Sequence, residues 1–392
     1  MRLEDERIRI VHTGDNHLDP YFPRLGAKQM ERRMDFWRSF KEVVEFALRT
    51  KPHLFLVSGD LFDRVDPRNP PRAQVIKCFR AMDEKGIRSF LIGGNHDTPR
   101  SMEEGSSPLN EIDATGYSTL LWEGEAETFN VGGTEICVSG ISYDFTLSES
   151  DDPLSRVKIS TEGDFNVFMA HYPLRGIEHP MLRNEPRIGF DKIPDDLNYL
   201  ALGHVHSSFF RRMGDSRYLA CPGSTERRSF NEESDEKKGF FYLEFSGDGK
   251  LIEKRFVEVS TRPMKTLRIK AKGNIDLNSE VIGRARELSN EELLLRVIVS
   301  GRVSLDTLGR YRRDEIIREL SEMFFAVQVN DEGLEYEGGE VNFSPGPDFS
   351  PLSSFREYVE EEISSCENDE EREVLRKVLE IGIKYLEEEG AW

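Results

Sequence analysis

Five short apolar runs punctuate residues 8–206, each closing on a small residue and followed by aspartate, asparagine or histidine. IRIVHTG precedes Asp15-Asn-His17, HLFLVSG precedes Asp60, and RSFLIGG precedes Asn95-His96-Asp97. NVFMA then precedes His171, and LNYLALG precedes His204-Val-His206. Runs of this length and composition read as buried strands. Between the first three, Phe36, Phe40, Val43, Val44 and Ala47 recur at helical spacing, as do Val75, Cys78, Phe79 and Met82. Alternating strand and helix predicts a layered α/β architecture with functional groups at the carboxyl ends of the strands. From residue 127 strands dominate, with SGDG at 246–249 as a hairpin turn, so two packed sheets with helices outside are expected.

The pattern gathers five of the eight histidines at strand ends, together with Asp15, Asp60, Asn95 and Asp97. One such residue is more often a cap or a solvated group than a ligand, but five motifs in order suit a binuclear metal site. Alternate residues of an extended strand point to one side. Asp15 and His17 are therefore expected to reach one metal together, and His204 and His206 a site between them. Asp60, alone at its strand end, is expected to bridge two ions. Carboxylate and imidazole without thiolate suit manganese, iron or zinc better than magnesium. Such a site hydrolyses phosphate esters. His96 is the candidate for the leaving oxygen, with Asn95 as a ligand and Asp97 placed to hold the imidazole. His12, His53 and His179 take structural readings.

The rest of the chain constrains the setting. No apolar run approaches a membrane span, and the charged start MRLEDER is not a secretory signal, so a cytoplasmic protein is expected. Cys78, Cys137, Cys221 and Cys366 form no CxxC pair and are expected to be buried thiols. A formal net charge of −20 argues against a nucleic-acid partner until its distribution is considered. Acidic runs concentrate beyond residue 350, whereas Arg211, Arg212, Arg217, Arg227, Arg228, Lys237 and Lys238 flank the last histidine motif. Three parts are expected: 1–259 with the metal motifs, a small βαβαβ-like domain over 260–343, and 344–392 holding a Pro/Gly linker and two amphipathic helices. The helices either fold back on the body or dock another protein.

D-x-H, GD, GNHD, a lone His and GH-x-H in this order resemble the calcineurin-like metallophosphoesterase superfamily. GDLFD at 59–63 and PGSTERRSF with KKGFFYLEF over 222–245 resemble more closely the Mre-eleven and SbcD nucleases of double-strand-break repair. That resemblance implies a four-layer αββα sandwich and two Mn2+ ions. Asp15, His17, Asp60 and His206 would hold one ion, and Asp60, Asn95, His171 and His204 the other. It implies His96 as the catalytic histidine, a DNA-touching cap over 260–343, and a homodimer formed through N-domain helices. The helices of 350–392 would dock on a coiled-coil ABC-type ATPase of the Rad-fifty or SbcC kind. Archaeal and eukaryotic members usually carry histidine where this chain has Asp63, and Asp19 stands where glycine is frequent.

The leading expectation is thus a Mn2+-dependent DNA nuclease, 3′→5′ exonuclease and single-strand endonuclease. A small-molecule phosphodiesterase or phosphatase would use the same ligands but needs neither the small domain nor the C-terminal helices. A DNA-end scaffold without catalysis would not need every ligand position intact.

Overall fold

The structure is a computed structural model that describes residues 7–176, 184–233, 237–337, 351–365 and 369–388. His179, Cys366 and the linker up to residue 350 lie outside the described residues. In chain order the elements of the first half are β1 (Arg7–Thr13), α1 (Gln29–Thr50), β2 (Leu54–Ser58), α2 (Asn69–Asp83), β3 (Arg88–Ile92), α3 (Leu109–Asp113), β4 (Thr119–Leu120), β5 (Glu123–Val131), β6 (Thr134–Ile141), β7 (Phe165–Ala170) and β8 (Tyr199–Leu202). There follow β9 (Phe209–Gly214), β10 (Arg217–Cys221), β11 (Gly239–Ser246), β12 (Leu251–Glu258), β13 (Met264–Gly273), α4 (Leu277–Arg286), β14 (Asn290–Val303), α5 (Leu305–Arg310), α6 (Arg313–Leu320), β15 (Phe324–Tyr336), α7 (Pro351–Ser365) and α8 (Asp369–Glu388). The chain divides into two compact units, one up to Glu335 and one from Tyr336.

Among the described residues of the first unit, two six-stranded sheets run in the orders β12-β11-β1-β2-β3-β4 and β5-β6-β7-β8-β10-β9. β1 to β4 are parallel, as are β6, β7, β8 and β10, while β11 and the edge strands β5, β9 and β12 run antiparallel. Strands buried on both faces explain the unbroken apolar runs in the sequence. One core lies between α1, α2 and the first sheet, with Phe36, Phe40, Val75 and Phe79 in it. A second fills the space between the sheets, with Ile10, Leu56, Val167 and Ala201. The outer face of the second sheet is covered by loop residues and 3-10 turns such as Pro153–Arg156 and Phe190–Lys192, through Leu154, Leu174 and Ile193. Helices on one side and turns on the other thus enclose the paired sheets of the expected α/β sandwich.

Polar side chains interrupt the inter-sheet core directly under the strand ends. Ser58 Oγ lies 3.2 Å from the Thr13 carbonyl and 2.9 Å from that of Leu202, and so joins β1, β2 and β8. His12, read as structural from the sequence, sits 3.0 Å from Ser58 Oγ and 2.7 Å from the Tyr199 hydroxyl. Burial pushes its imidazole down to about 3, so it is a neutral hydrogen-bond link between the two sheets.

β13, β14 and β15 form a third sheet with its own core of Ile269, Val281, Val297 and Ile316, covered by α4 and α6. Arg262, just ahead of β13, is buried and anchors this sheet to the body. Its guanidinium donates to Asp35 Oδ2 (2.6 Å) and Oδ1 (3.0 Å) on α1 and to Glu292 Oε2 (2.7 Å), and it stacks on Phe325. Arg32 donates to the same Asp35 and to Glu226. In the second unit α7 and α8 pack on each other, Phe355 lying where a side chain at Gly382 would stand. No described helix is long and apolar enough to cross a membrane.

Asp35 compensates two buried arginines, so Asp35→Ala is expected to cost about 3–5 kcal/mol, read as a lowered unfolding midpoint. Burial pushes its carboxyl up, but hydrogen bonds from Arg262 and Arg32 outweigh that and hold it below its ordinary value. The stabilisation is then full above about pH 4 and is lost as pH falls through the folded-state value. The variant should therefore differ most from the parent near neutrality and least in strong acid.

Candidate metal centre

Each ligand motif begins one to three residues past a strand, and at several of them the chain turns in an unusual way. Asp15, His17, Asp60 and His204 all have positive φ, between 46° and 80°. Non-glycine residues are rare in that region, where Asp and His are among the better tolerated, and the strain persists only where surroundings fix it. Main-chain bonds supply that fixing. Asp15 N donates to the Gly59 carbonyl, His17 N to that of Asp60, Leu18 N to that of Leu61, and Asp63 N to that of Leu18. The loops after β1 and β2 are zipped side by side.

This corrects the extended-strand argument for the two i, i+2 pairs. Asp15 and His17 do converge with His206, but through left-handed turns beyond β1. His204 and His206 do not share a side. His206 Nε2 lies 3.0 Å from His17 Nε2 and 3.9 Å from Asp15 Oδ1. His204 Nδ1 lies 3.1 Å from Asn95 Oδ1, and its Nε2 is bonded to Glu185.

Among the described residues, three groups of donors lie close enough to share an ion, Asp15–His17–His206, His17–Asp60–His96 and Asp15–Asp60–His171. With Asn95 and His204 they fall into two sets about Asp60, with His96 at the edge. Asp15, His17 and His206 form one, with Asp60 Oδ2 3.7 Å from His17 Nε2. In the other, His171 Nε2 lies 3.3 Å from both Asp60 Oδ2 and Asn95 Oδ1, with His204 on the far side of Asn95. Asp60 touches both sets. Asp15 Oδ1, 4.0 Å from His171 Nε2, also lies between them.

The electrostatics fit cations. His206 presents Nδ1 to Glu232, and His17 Nδ1 lies 3.3 Å from Asp63 Oδ1, off the line of a good hydrogen bond. Their Nε2 atoms lie 3.0 Å apart, close enough to share a proton or to meet one cation. Burial lowers the His171 imidazole, but the charge of Asp60 outweighs it and pushes the group up to about 9. A buried pocket with two carboxylates thus draws positive charge onto its own histidine. Imidazole, carboxylate and amide donors suit a divalent first-row ion, manganese, iron or zinc, better than magnesium.

His96 stands beside both sets with its ring edge-on to His17, and its main-chain N donates to Asp60 Oδ1 at 2.8 Å. Its Nδ1 is 2.9 Å from the Asp63 carbonyl. Asp97 does not hold it. The Asp97 carboxylate instead accepts from Gly94 N (2.8 Å) and Phe62 N (3.2 Å) and so braces the loops that carry Asp60 and Asn95. Burial and the neighbouring Asp60 push the Asp97 carboxyl up to about 7. The orienting partner missed from sequence is the main chain of Asp63. The Asp63 carboxylate, also bonded to Arg228 at 2.6 Å, backs His17. Asp19 pairs with Arg68 and Arg33 outside the centre. A shallow groove lined by Arg64, Thr98 and Arg100 opens beside His96.

The basic cluster of 211–238 is largely consumed inside the molecule. Arg212 pairs with Asp215, Arg217 with Asp195, Arg228 with Asp63, Lys237 with Glu258 and Lys238 with Glu232. Cys137 and Cys221 are buried, and Cys78 is half-buried.

A family model described as Calcineurin-like phosphoesterase matches residues 8–208. The chain is 31% identical over 278 residues to the DNA double-strand break repair protein Mre11 of Methanocaldococcus jannaschii, spanning 66% of this chain and 71% of that protein. It is 27% identical over 306 residues to the protein of that description from Thermoplasma acidophilum, covering 76% and 78%. Its counterpart from Saccharolobus solfataricus is 25% identical over 343 residues, covering 84% and 81%.

Gly94 has no room for a side chain, since a Cβ there would stand 2.1 Å from Asp60 Oδ1 and 2.5 Å from Asp60 N. Gly94→Ala must displace the shared carboxylate. It is expected to weaken Mn2+ binding at both ligand sets at least tenfold by calorimetry, while the circular-dichroism spectrum is kept.

Proposed function

The chain belongs to the calcineurin-like phosphoesterase family, and within it to the Mre11 group, and from that premise we propose that this metal-dependent phosphodiesterase is a Mn2+-dependent DNA nuclease of double-strand-break repair. The observation that carries the reading is the double ligand set around Asp60, with His96 beside it and tied at Nδ1 to the Asp63 carbonyl. Asp15, His17, Asp60 and His206 would hold one Mn2+, and Asp60, Asn95, His171 and His204 the other. When bound, such a pair supplies an acidified water and neutralises charge on the phosphate. His96, held at Nδ1 by the Asp63 carbonyl and lining the groove, is the residue proposed to deliver a proton to the leaving oxygen. Asp97 keeps the Gly94–His96 loop in place and does not itself meet substrate. We assign 3′→5′ exonuclease and single-strand endonuclease activity to this one centre.

Two surfaces support a DNA and protein partner over a small-molecule substrate. On β13, Ile269 and Ala271 face the helices, while Arg268, Lys270 and Lys272 alternate onto the opposite, exposed face. Arg302 of β14, in register with Lys272, lies on that face as well but pairs with Glu335. This basic sheet, in the domain expected over 260–343, is the proposed contact to the phosphate backbone, in place of the internally paired arginines of 211–228. In the second unit α8 exposes Val374, Val378, Ile381 and Tyr385 at helical spacing, Ile381 being 68% exposed. An exposed apolar stripe on a helical hairpin is a docking surface. The coiled-coil base of an ABC-type ATPase is its proposed occupant, and the nuclease is proposed to act as a homodimer.

Labelled duplex and single-stranded DNA incubated with Mn2+ should be cut, and the reading fails if only a chromogenic phosphodiester is hydrolysed. His96→Ala should bind two equivalents of Mn2+ yet lose at least a hundredfold in DNA cleavage; loss of one metal equivalent in elemental analysis would place His96 among the ligands. Replacing Arg268, Lys270 and Lys272 together by alanine should flatten the dependence of log K for duplex on log salt. The slope should fall by up to about 0.9 for each phosphate that is no longer neutralised, with the chromogenic diester hydrolysed as before.

A further inference from the structure

Glu232 ends a short 3-10 turn, Phe230–Glu232, closed by a capping box in which its side chain turns back on the main chain. Glu232 Oε1 accepts from Arg228 N (3.1 Å) and Ser229 N (3.2 Å) and faces His206 Nδ1 at 3.1 Å. Its Oε2 accepts from Ser224 Oγ (3.0 Å) and from Lys238 Nζ (2.8 Å). The lysine is itself buried and makes a second bond, 2.9 Å long, to the main-chain carbonyl of His206. One ion pair therefore grips His206 by its ring and by its backbone.

With five donors already on its two oxygens, Glu232 has no lone pair directed at the centre and is not a ligand. Its contact with Nδ1 also decides the His206 tautomer, leaving the Nε2 lone pair aimed at Asp15 and His17. Lys238 balances the charge of Glu232 and fixes where its carboxylate stands. His204 has a different support, since Glu185 comes from another loop and is more exposed.

We propose that Glu232, charge-balanced by the buried Lys238, is a positioning residue that fixes His206 and thereby sets the cation affinity of the Asp15–His17–His206 set alone. The inference rests on the two-cation reading above. It is tested on the full chain, stripped of metal and titrated with MnCl2 in a calorimeter. The unmodified chain should bind two equivalents. Glu232→Gln should lose 10–100-fold in affinity at one equivalent, the usual effect of removing such an outer partner, with the other within twofold. Excess Mn2+ should restore its cleavage rate, and its DNA affinity in EDTA should be unchanged within twofold. Glu232→Gln combined with Lys238→Met removes the stranded lysine, guards against misfolding, and should show the same one-site loss. Parental affinity at both equivalents in the single or the double variant overturns the proposal, as does equal weakening of both. Failure of the unmodified chain to bind two equivalents overturns the two-cation reading itself.

Discussion

The whole centre depends on one carboxylate held in strained backbone. Asp60 sits in left-handed conformation just past β2, with Oδ1 accepting from His96 N and Oδ2 within 3.7 Å of histidines from both ligand sets. No local preference would put it there. It is held because the loops after β1 and β2 are zipped by main-chain hydrogen bonds, because Gly94 leaves room, and because Ser58 joins β1, β2 and β8 under the site. Strain stored in the turns is offset by two sheets that cannot shift independently.

Around that point the structure builds a second ring of contacts whose purpose is orientation. His171 Nδ1 lies 2.7 Å from the Ser58 carbonyl, His96 uses the Asp63 carbonyl, His206 uses Glu232 and His204 uses Glu185. These four imidazoles are each tied at one nitrogen, whereas His17 Nδ1 lies near Asp63 without a well-aligned hydrogen bond. The same logic accounts for the charge distribution. Arg228 neutralises Asp63 beside the centre, and a run of exposed positive charge lies on β13. A chain with a formal net charge of −20 can therefore present a basic face to an anionic polymer.

The strands and the helices were legible because they depend on local hydrophobic pattern, and the candidate ligands because their motifs are anchored to strand ends; the division of those residues into two sets came only from the family resemblance. Phe36, Phe40, Val75 and Phe79 announced their helices by spacing alone. What the sequence hid is whatever depends on loop conformation or on distant pairing. The i, i+2 rule fails for His204 and His206 because the chain has already left the strand and turned left-handed. Asp97 looked like the partner of His96 by adjacency, yet the loop turns its carboxylate back on Gly94 and Phe62. Asp63 drew notice only as a departure from a family pattern, and its contact with His17 depends on Arg228, 165 residues away. Glu232 carried one local sign, the S-x-x-E capping box, which says nothing of the histidine it meets.

Anomalous diffraction at the manganese edge from crystals grown with Mn2+ addresses the central claim most directly. Two peaks about 3.5–4 Å apart are expected, one ringed by Asp15, His17 and His206, the other by Asn95, His171 and His204, with Asp60 between. A single peak, or two peaks that do not share Asp60, in crystals of chain that cleaves DNA would contradict it.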